Sequence, residues 1–332
     1  MEEGRRRPVP RRKSVGRDAA GGGPRPDAGD HWGAGPAGLR GGVLQRGYRV
    51  NGVRQRAATP VGHLAAVLAG PEEVDLFNAP PSARRRVLDS TALQTSIDYA
   101  GALRRYERLV TQRNAALRDA RDRGRVERTP EMRVWEQELI AAGAFIIHQR
   151  LSILSVLQTE MLTAHAAFTG QKGALVLDYR SSVPLDGHGE TETETDRIRA
   201  RFAEALNAVW RRDAATATTS VGPHRDDLRA MSGEVDLGIY GSRGQQRIAA
   251  LALVIAQSAY MGQRLGDEPV ILLDDPLSEL DAERRESVLR HCLAPGRQVL
   301  MTAADPTLIP EDVRRRAAAY TVHAGTITPA PA

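Results

Sequence analysis

The segment from Pro269 to Asp281 constrains the fold of this chain more than any other stretch. Its apolar run, Val270 to Leu273, has no polar alternation, which is typical of a strand buried on both faces of a parallel sheet. Asp274 and Asp275 follow directly. Open α/β sheets bind ligands beyond the carboxyl ends of their strands, and two acids there suit a nucleotide-bound Mg²⁺ and a water to be activated. A strand followed by an ordinary acidic turn is the alternative.

A second segment, Gly241 to Arg247, precedes a run from Ile248 to Leu265 whose apolar residues fall at helical spacing. Ser242 is a typical N-cap, and Gly244 allows a ligand to approach the backbone closely. The free N–H groups of a helix N-terminus favour anions, so this segment is expected to face phosphate. A Ser-x-Gly-Gln helix, a buried strand with two terminal acids and then Ser-x-Leu-Asp form an order that resembles ABC-type ATPase heads.

Length and composition bound the possible classes of protein. The 332 residues are enough for two structural units, and a charged fraction of 26% with 41% hydrophobic residues is typical of a globular protein. The formal net charge of +5 permits nucleic-acid binding without requiring it. No apolar run is expected to reach the length of a membrane span, and a single cysteine, Cys292, excludes an internal disulfide.

The order of elements is predicted from periodicity and turn residues. Residues 1–46 are rich in Gly, Pro and Arg and are expected to be disordered, with DNA contact through their arginines as an alternative. A strand pair is expected around Asn51-Gly52, and residues 96–169 have a helical period interrupted by one loop. Further expected elements are a helix from Thr59, a strand or a helix end at 65–68, strands at 175–179, 217–221 and 270–273, helices at 196–210 and 282–293, and a last parallel strand at 298–302, beside the 270–273 strand.

Several motifs together resemble the RecF family of bacterial DNA repair proteins, over roughly Gly47 to Pro310. The resemblance implies an α/β, ABC/SMC-type ATPase head with a mainly parallel sheet and an inserted helical arm. It divides the chain into a tail (1–46), a remnant of a first ATPase lobe (47–95), the arm (96–170) and a second lobe (171–332). The motifs are Arg84–Asp89, Gln112–Asn114, Val134–Leu139 with Gly143, Val221–Leu228 and Gly241–Arg247.

The same resemblance implies roles for individual residues. Asp274 would hold Mg²⁺ and Asp275 would orient or deprotonate the attacking water. In an ATP-dependent homodimer, the signature residues of one copy would contact the ATP of the other. DNA and recombination mediator proteins would be partners, in the cytoplasm and without a membrane. The remaining implied sites are the signature residues Ser242, Gly244 and Gln245, the dimer seam of Ser278, Leu280 and Asp281, and the DNA contacts Arg84, Arg85, Arg104 and Arg105.

The cluster around His224 fits two interpretations. His224 followed by Asp226 and Asp227 has the side chains of a metal site, but no further ligand stands at a supporting spacing. Ordinary salt bridges within a loop are the other interpretation. The arginines of the 96–169 helices likewise fit either a solvated helix face or a DNA contact.

The sequence contains no phosphate loop. That motif has the form G-x-x-x-x-G-K-[ST], and neither of the only two lysines, Lys13 and Lys172, stands in it. A truncated or frame-shifted reading of the gene is one explanation. The other is a protein that keeps the dimer face and the DNA contacts but binds ATP poorly. ATP and Mg²⁺ are therefore expected for the family but doubtful for this sequence, and a non-catalytic DNA- or partner-binding scaffold is the second functional hypothesis.

We expect the chain as printed to bind ATP negligibly. Charge-assisted hydrogen bonds contribute about 1.5–3 kcal/mol each, so losing three phosphate-loop contacts removes roughly 4–9 kcal/mol, or about three to six decades of affinity. Titration calorimetry with Mg-ATP measures this directly. A micromolar, Mg²⁺-dependent isotherm would show that another segment substitutes for the loop.

Overall fold

The computed structural model describes residues 39–40, 43–44, 48–50, 53–55, 64–70, 75–124, 127–170, 175–185, 195–278 and 280–330. Predictions that fall elsewhere, such as the helix from Thr59 and most of the tail, lie outside these residues. The chain divides into two compact units, Met1–Ala57 and Ala58–Ala332.

The first unit contains two antiparallel strand pairs. Strands β3 (Tyr48–Val50) and β4 (Val53–Gln55) form an antiparallel pair, which confirms the predicted strand pair. Strands β1 (Leu39–Arg40) and β2 (Val43–Leu44) also pair, although the sequence predicts no regular structure before residue 47.

The second unit combines strands and helices, as the α/β prediction requires. Short 3₁₀ turns cover Leu76–Asn78 and Pro306–Leu308. The C-terminal hairpin, β11 with β12, was not predicted. The strands are β5 (Ala66–Ala69), β6 (Leu175–Arg180), β7 (Asp227–Ser232), β8 (Val235–Asp236), β9 (Val270–Asp274), β10 (Val299–Thr302), β11 (Tyr320–His323) and β12 (Thr326–Pro329). The helices are α1 (Pro81–Thr95), α2 (Ile97–Asp122), α3 (Pro130–Thr169), α4 (Thr195–Ala208), α5 (Trp210–Thr216), α6 (Leu237–Tyr240), α7 (Arg243–Leu265), α8 (Ala282–Cys292) and α9 (Glu311–Arg316).

A parallel sheet holds the acid-bearing strand. Its order is β10-β9-β5, and Leu272 of β9 lies between Leu300 of β10 and Leu68 of β5. The predicted pairing of the 270–273 strand with the 299–302 strand is confirmed. One face of the sheet belongs to the core, but Leu68 and Leu300 are 46% and 54% exposed. The expected burial on both faces is therefore wrong, since the described residues cover only one.

A second, antiparallel sheet has the order β6-β7-β8. Alternate residues of β6 are buried, as a half-covered strand requires. The predicted strand at 217–221 is wrong, because that segment satisfies its backbone through side chains. The N–H groups of Thr219, Ser220 and Gly222 donate to Asn114 Oδ1, Asp213 Oδ1 and Ser182 Oγ at 2.7, 3.2 and 2.8 Å. Groups bonded in this way are not available for a sheet ladder.

Helices α2 and α3 pack together along their lengths, as predicted for residues 96–169. Helix α3 also packs extensively against α7, which in turn lies on β5 of the parallel sheet. Gly143 of α3 allows α2 and α4 to approach α3 closely, because a Cβ there would lie 2.5 Å from the Phe202 ring of α4 and 2.9 Å from the Tyr106 ring of α2. The predicted helix at 196–210 ends earlier, at Ala208, and α5 follows it.

Helix α3 also corrects the expectation about membrane spans. Among the described helices it alone is long and apolar enough to cross a membrane by length and composition. This is weak evidence, because the central helix of a packed core meets the same criterion. Here α3 supplies core residues along its length and carries the buried, ion-paired Arg150.

A buried arginine joins three helices to the irregular segment after α5. Arg113 of α2 donates from Nε to Glu136 Oε1 of α3 at 2.9 Å. Its Nη1 donates to Asp213 Oδ2 of α5 at 2.8 Å and to Thr219 Oγ1 at 2.9 Å. The Arg113 side chain is 1% exposed, so its charge depends on these partners for compensation.

We predict that Arg113→Met lowers the free energy of unfolding by about 3–5 kcal/mol, because the carboxylates of Asp213 and Glu136 stay buried without their main partner. Urea denaturation followed by circular dichroism measures the change. Arg118→Met, at an exposed position of the same helix, is the control and should change stability by less than about 0.5 kcal/mol. Equal stabilities of the two variants would contradict the assignment.

Candidate nucleotide site at the end of strand β9

The two acids after β9 are held by a threonine on the neighbouring strand. Thr302 Oγ1 of β10 donates to Asp274 Oδ1 at 2.6 Å and accepts from the backbone N–H of Asp275 at 3.1 Å. Parallel pairing places Thr302 directly opposite Asp274. The Asp274 side chain is exposed and can therefore reach a ligand beyond the sheet.

Asp275 has an unusual backbone conformation. Its φ is +46°, in the left-handed region that few residues other than Gly, Asn and Asp adopt. Its Oδ1 is buried and has no hydrogen-bond partner among the residues that the structure describes. The exposed carboxylate of the neighbouring Asp274 supplies the oxygen ligands that Mg²⁺ and its waters prefer.

Arg247 connects these acids to the start of α7. Its Nη2 donates to the backbone oxygen of Asp275 at 3.2 Å, and the residue is 7% exposed. Because Arg247 lies one turn into α7, the beginning of that helix and the end of β9 are joined within one chain. Arg247 is the last residue of the Gly241–Arg247 motif, but the sequence pattern does not predict this contact.

The signature residues form the predicted helix start. Ser242 is the N-cap of α7, and with Gln245 it forms a reciprocal capping box, with bonds of 3.3 and 2.8 Å. Ser242, Gly244 and Gln245 are exposed, and a Cβ added at Gly244 would meet no atom within 4 Å. These three residues therefore present an open surface at the N-terminal end of a 23-residue helix.

Gln246 anchors the turn before α7. Its Nε2 donates to the backbone oxygens of Leu237 and Gly241 at 2.7 and 3.2 Å. Its Oε1 accepts from Asn78 Nδ2 at 2.7 Å. The amide thus ties the signature turn to the 3₁₀ turn that precedes α1, and no sequence signal identified this pairing.

The predicted dimer-seam residues occupy three different environments. Ser278 is exposed and donates to the backbone oxygen of Asp275 at 3.4 Å. Asp281 is the N-cap of α8, where it accepts from Arg284 N at 2.9 Å. Leu280 is 5% exposed and belongs to the core, so its side chain has little surface for a second copy.

The arginines predicted to contact DNA differ in their exposure. Arg84 is a structural residue: its guanidinium donates to both carboxylate oxygens of Asp227, at 2.8 and 2.7 Å, and to the backbone oxygens of Phe77 and Ala79. These contacts leave its side chain 14% exposed, so Arg84 has little free surface for a DNA phosphate. Arg105 pairs with Glu138 at the surface, and Arg104 is exposed on the same helix.

The His224 cluster is a hydrogen-bonded loop. Within the described ranges, no three His, Cys, Asp or Glu side chains are grouped so as to hold a metal ion. His224 Nε2 lies 3.1 Å from the carbonyl oxygen of Thr219, so this nitrogen carries the proton, and Nδ1 accepts from the Tyr106 hydroxyl at 2.7 Å. Burial lowers the pKa of His224 to about 4 and raises that of Asp226.

Comparison with known proteins places this chain in a family. The DNA replication and repair protein RecF of Chloroflexus aggregans is 38% identical over 285 residues, 85% of this chain and 72% of that protein. RecF of Herpetosiphon aurantiacus is 37% identical over 257 residues, and the match spans 77% of this chain and 64% of the relative. No protein-family model matches the chain.

A solved structure shares the fold. The recombination mediator protein RecF of the RecFOR pathway, solved with ATP, matches with a TM-score of 0.74 over 87% of this chain and 74% of its own, at 24% identity. The predicted fold class, an α/β ATPase head with helices inserted beside a parallel sheet, is therefore confirmed.

We predict that His224→Gln makes stability less sensitive to acid. The folded pKa of His224, about 4, lies below the unfolded value of about 6.5, so the unfolded chain binds this proton first and stability falls as the pH drops from 6.5 towards 4. Gln can replace both hydrogen bonds but does not titrate. Urea denaturation at pH 7 and pH 4.5 should show a smaller loss in the variant. An unchanged loss would mean that His224 does not carry this effect.

Proposed function

The chain belongs to the RecF family, and from this premise we propose that it acts in DNA replication and repair by binding single-stranded or gapped duplex DNA when ATP is bound. Recombinase loading in recombinational repair and the SOS response would follow from that binding. The observation that carries the proposal is the arrangement of Asp274 and Asp275 at the end of β9, joined through Arg247 to the exposed start of α7.

The exposure of Ser242, Gly244 and Gln245 supports a composite site. Their own chain leaves this helix terminus open, and free N–H groups there favour a phosphate. In the proposed homodimer, these residues of one copy contact the ATP that lies against the acids of the other. Exposed Ser278 and Asp281, with the backbone near Leu280, would lie at the contact between the copies.

The two acids would divide the chemistry. Asp274, already oriented by Thr302, would hold Mg²⁺ largely through water, and Mg²⁺ supplies charge stabilisation to the phosphates. Asp275 would orient the attacking water or accept its proton. Arg247 holds Asp275 through the Asp275 backbone oxygen. Closure of the dimer at the start of α7 would therefore shift the position of the Asp275 carboxylate.

DNA contact is assigned to two of the exposed arginines of α2, Arg104 and Arg105, and to Arg85 of α1. Arg105 is 58% exposed in spite of its pair with Glu138, so a DNA phosphate can compete for it at little cost. The proposed partners are DNA, a second copy of the chain and recombination mediator proteins, in the cytoplasm. We retain the division into a tail, a first-lobe segment, an arm over 96–170 and a second lobe as a proposal.

A second function is favoured by one observation, the lack of a phosphate loop in the sequence. A non-catalytic scaffold would use the same helices and arginines to bind DNA or a partner, but without ATP control. DNA affinity measured with and without Mg-ATP separates the two functions, because only the ATP-dependent protein should bind DNA more tightly with the nucleotide.

We predict opposite effects of two substitutions in a chimera that carries the phosphate-loop segment of a relative. Asp275→Asn should abolish hydrolysis yet retain ATP binding and the ATP-held dimer, because a neutral amide fits the site but cannot accept the proton. Ser242→Arg should block dimer closure while sparing ATP binding by the monomer.

Single-turnover hydrolysis, nucleotide titration and light scattering give the three readouts. Arg118→Gln, on the exposed face of α2, is the matched control and should leave all three unchanged. Hydrolysis by Asp275→Asn at the original rate would remove the role assigned to Asp275.

A further inference from the structure

A cavity of about 320 Å³ lies among helices α1, α2 and α3 and the turn at Pro223–His224. This volume is at the lower end of the range for small-molecule sites and is larger than a single water or ion requires. Its polar and aromatic lining comes from Ser82, Arg85 and Arg86 of α1, Tyr106 and Glu107 of α2, and His224. None of these belongs to the acids after β9 or to the start of α7.

Arg150 and Asp89 form a bidentate ion pair in the cavity wall. Arg150 of α3 donates from Nε and Nη2 to the two oxygens of Asp89, at 2.9 and 3.0 Å. Its Nη1 donates to the backbone oxygen of Pro223 at 2.7 Å. Asp89 also accepts from the Tyr99 hydroxyl at 2.5 Å. This pair is neutral as a unit and gives the cavity a rigid floor.

The remaining charges of the lining are Arg85, Arg86 and Glu107, which leave one net positive charge. Arg85 Nη1 donates to the backbone oxygen of Asp226 at 2.5 Å, a contact that positions the guanidinium without neutralising it. Burial, and then the charge of Arg150, lower the pKa of Arg85. A bound anion would offset the repulsion from Arg150. Arg86, one residue further along α1, is exposed at the mouth.

His224 and Tyr106 close one side of the cavity without adding charge. The His224 ring uses both nitrogens, towards Tyr106 and Thr219, and is neutral near pH 7 because its pKa is about 4. Gly222 permits this packing: its φ is +123°, and a Cβ there would collide with the Tyr106 hydroxyl. The wall is therefore an aromatic surface beside a pair of arginines.

We propose that this cavity binds a phosphate group of a nucleic acid, held by Arg85 and Arg86. Two adjacent guanidinium groups suit a phosphate, which accepts several hydrogen bonds at once. Ser82, in the first turn of α1, places a hydroxyl and the positive end of a 15-residue helix at the same cavity. The aromatic wall gives room for a sugar or base attached to the phosphate.

The nucleic-acid part of this inference rests on the proposed function, whereas the anion site itself does not. The phosphate can be a chain-terminal monoester or an internal diester, since both present the same oxygens. Glu107 opposes either of them from the cavity rim, so removing its charge should strengthen binding.

The test uses the full chain and two kinds of probe. Calorimetry with inorganic phosphate measures the anion site, and fluorescence anisotropy measures single-stranded oligonucleotides with a 5′-phosphate or a 5′-hydroxyl. Arg85→Gln and Arg86→Gln should each weaken phosphate and oligonucleotide binding roughly tenfold or more, while Glu107→Gln strengthens it. Arg118 lies on α2, as Glu107 does, but outside the cavity. The Arg118→Gln variant should therefore bind both probes as the original chain does.

Each outcome has a definite meaning. Loss of the preference for a 5′-phosphate in the Arg86 variant supports a terminal monoester, and equal weakening for both oligonucleotides supports an internal diester. Phosphate binding that depends on Arg85 and Arg86, in a chain that binds no oligonucleotide, supports the anion site and contradicts the DNA function. Undiminished binding of both probes by the Arg85 and Arg86 variants overturns the inference. Thermal unfolding shows that the variants are folded, and Arg86, which is exposed, provides the variant least coupled to stability.

Discussion

The compensation of buried arginine charge is the constraint on which the rest of the structure depends. Arg113 and Arg150 are 0% and 2% exposed, and a guanidinium at such sites is tolerated only with carboxylate and carbonyl partners in good geometry. Their partners come from α1, α3, α5 and the turn after residue 216. Because each arginine joins segments far apart in the chain, the helices and this turn are held in one arrangement that apolar packing alone would define less uniquely.

The same network positions the groups to which we assign function. Arg84 pairs with Asp227 and Arg85 contacts the Asp226 backbone, so consecutive arginines of α1 are held by consecutive aspartates of the turn. Asp226 is itself enclosed by the hydroxyls of Tyr179 and Ser182, at 2.5 and 2.9 Å. At the end of β9, Arg247 has a similar role, because it links α7 to the backbone of Asp275. In both places an arginine fixes the backbone of a loop that borders a proposed site.

Local signals explain which predictions were confirmed. The strand at Val270–Leu273 and the helix beginning after Ser242 depend on short-range patterning and capping, which act through neighbouring residues. The sequence does not reveal the ion pair of Arg84, because a charged residue in a basic run gives no sign of the carboxylate that meets it 143 positions later. The segment from 217 to 221 was misassigned for a related reason, since its hydrogen-bond partners are side chains of other elements.

The sequence by itself therefore determined most of the long helices, the strand that ends in the two acids and the capped start of α7, because periodicity and caps are encoded within a few residues. Tertiary structure alone decided which face of the β10-β9-β5 sheet is covered, that Asp275 takes a left-handed conformation, and which arginines are buried. Burial and ion pairing depend on the desolvation that distant segments impose on a side chain, and this quantity exists only after the chain has packed.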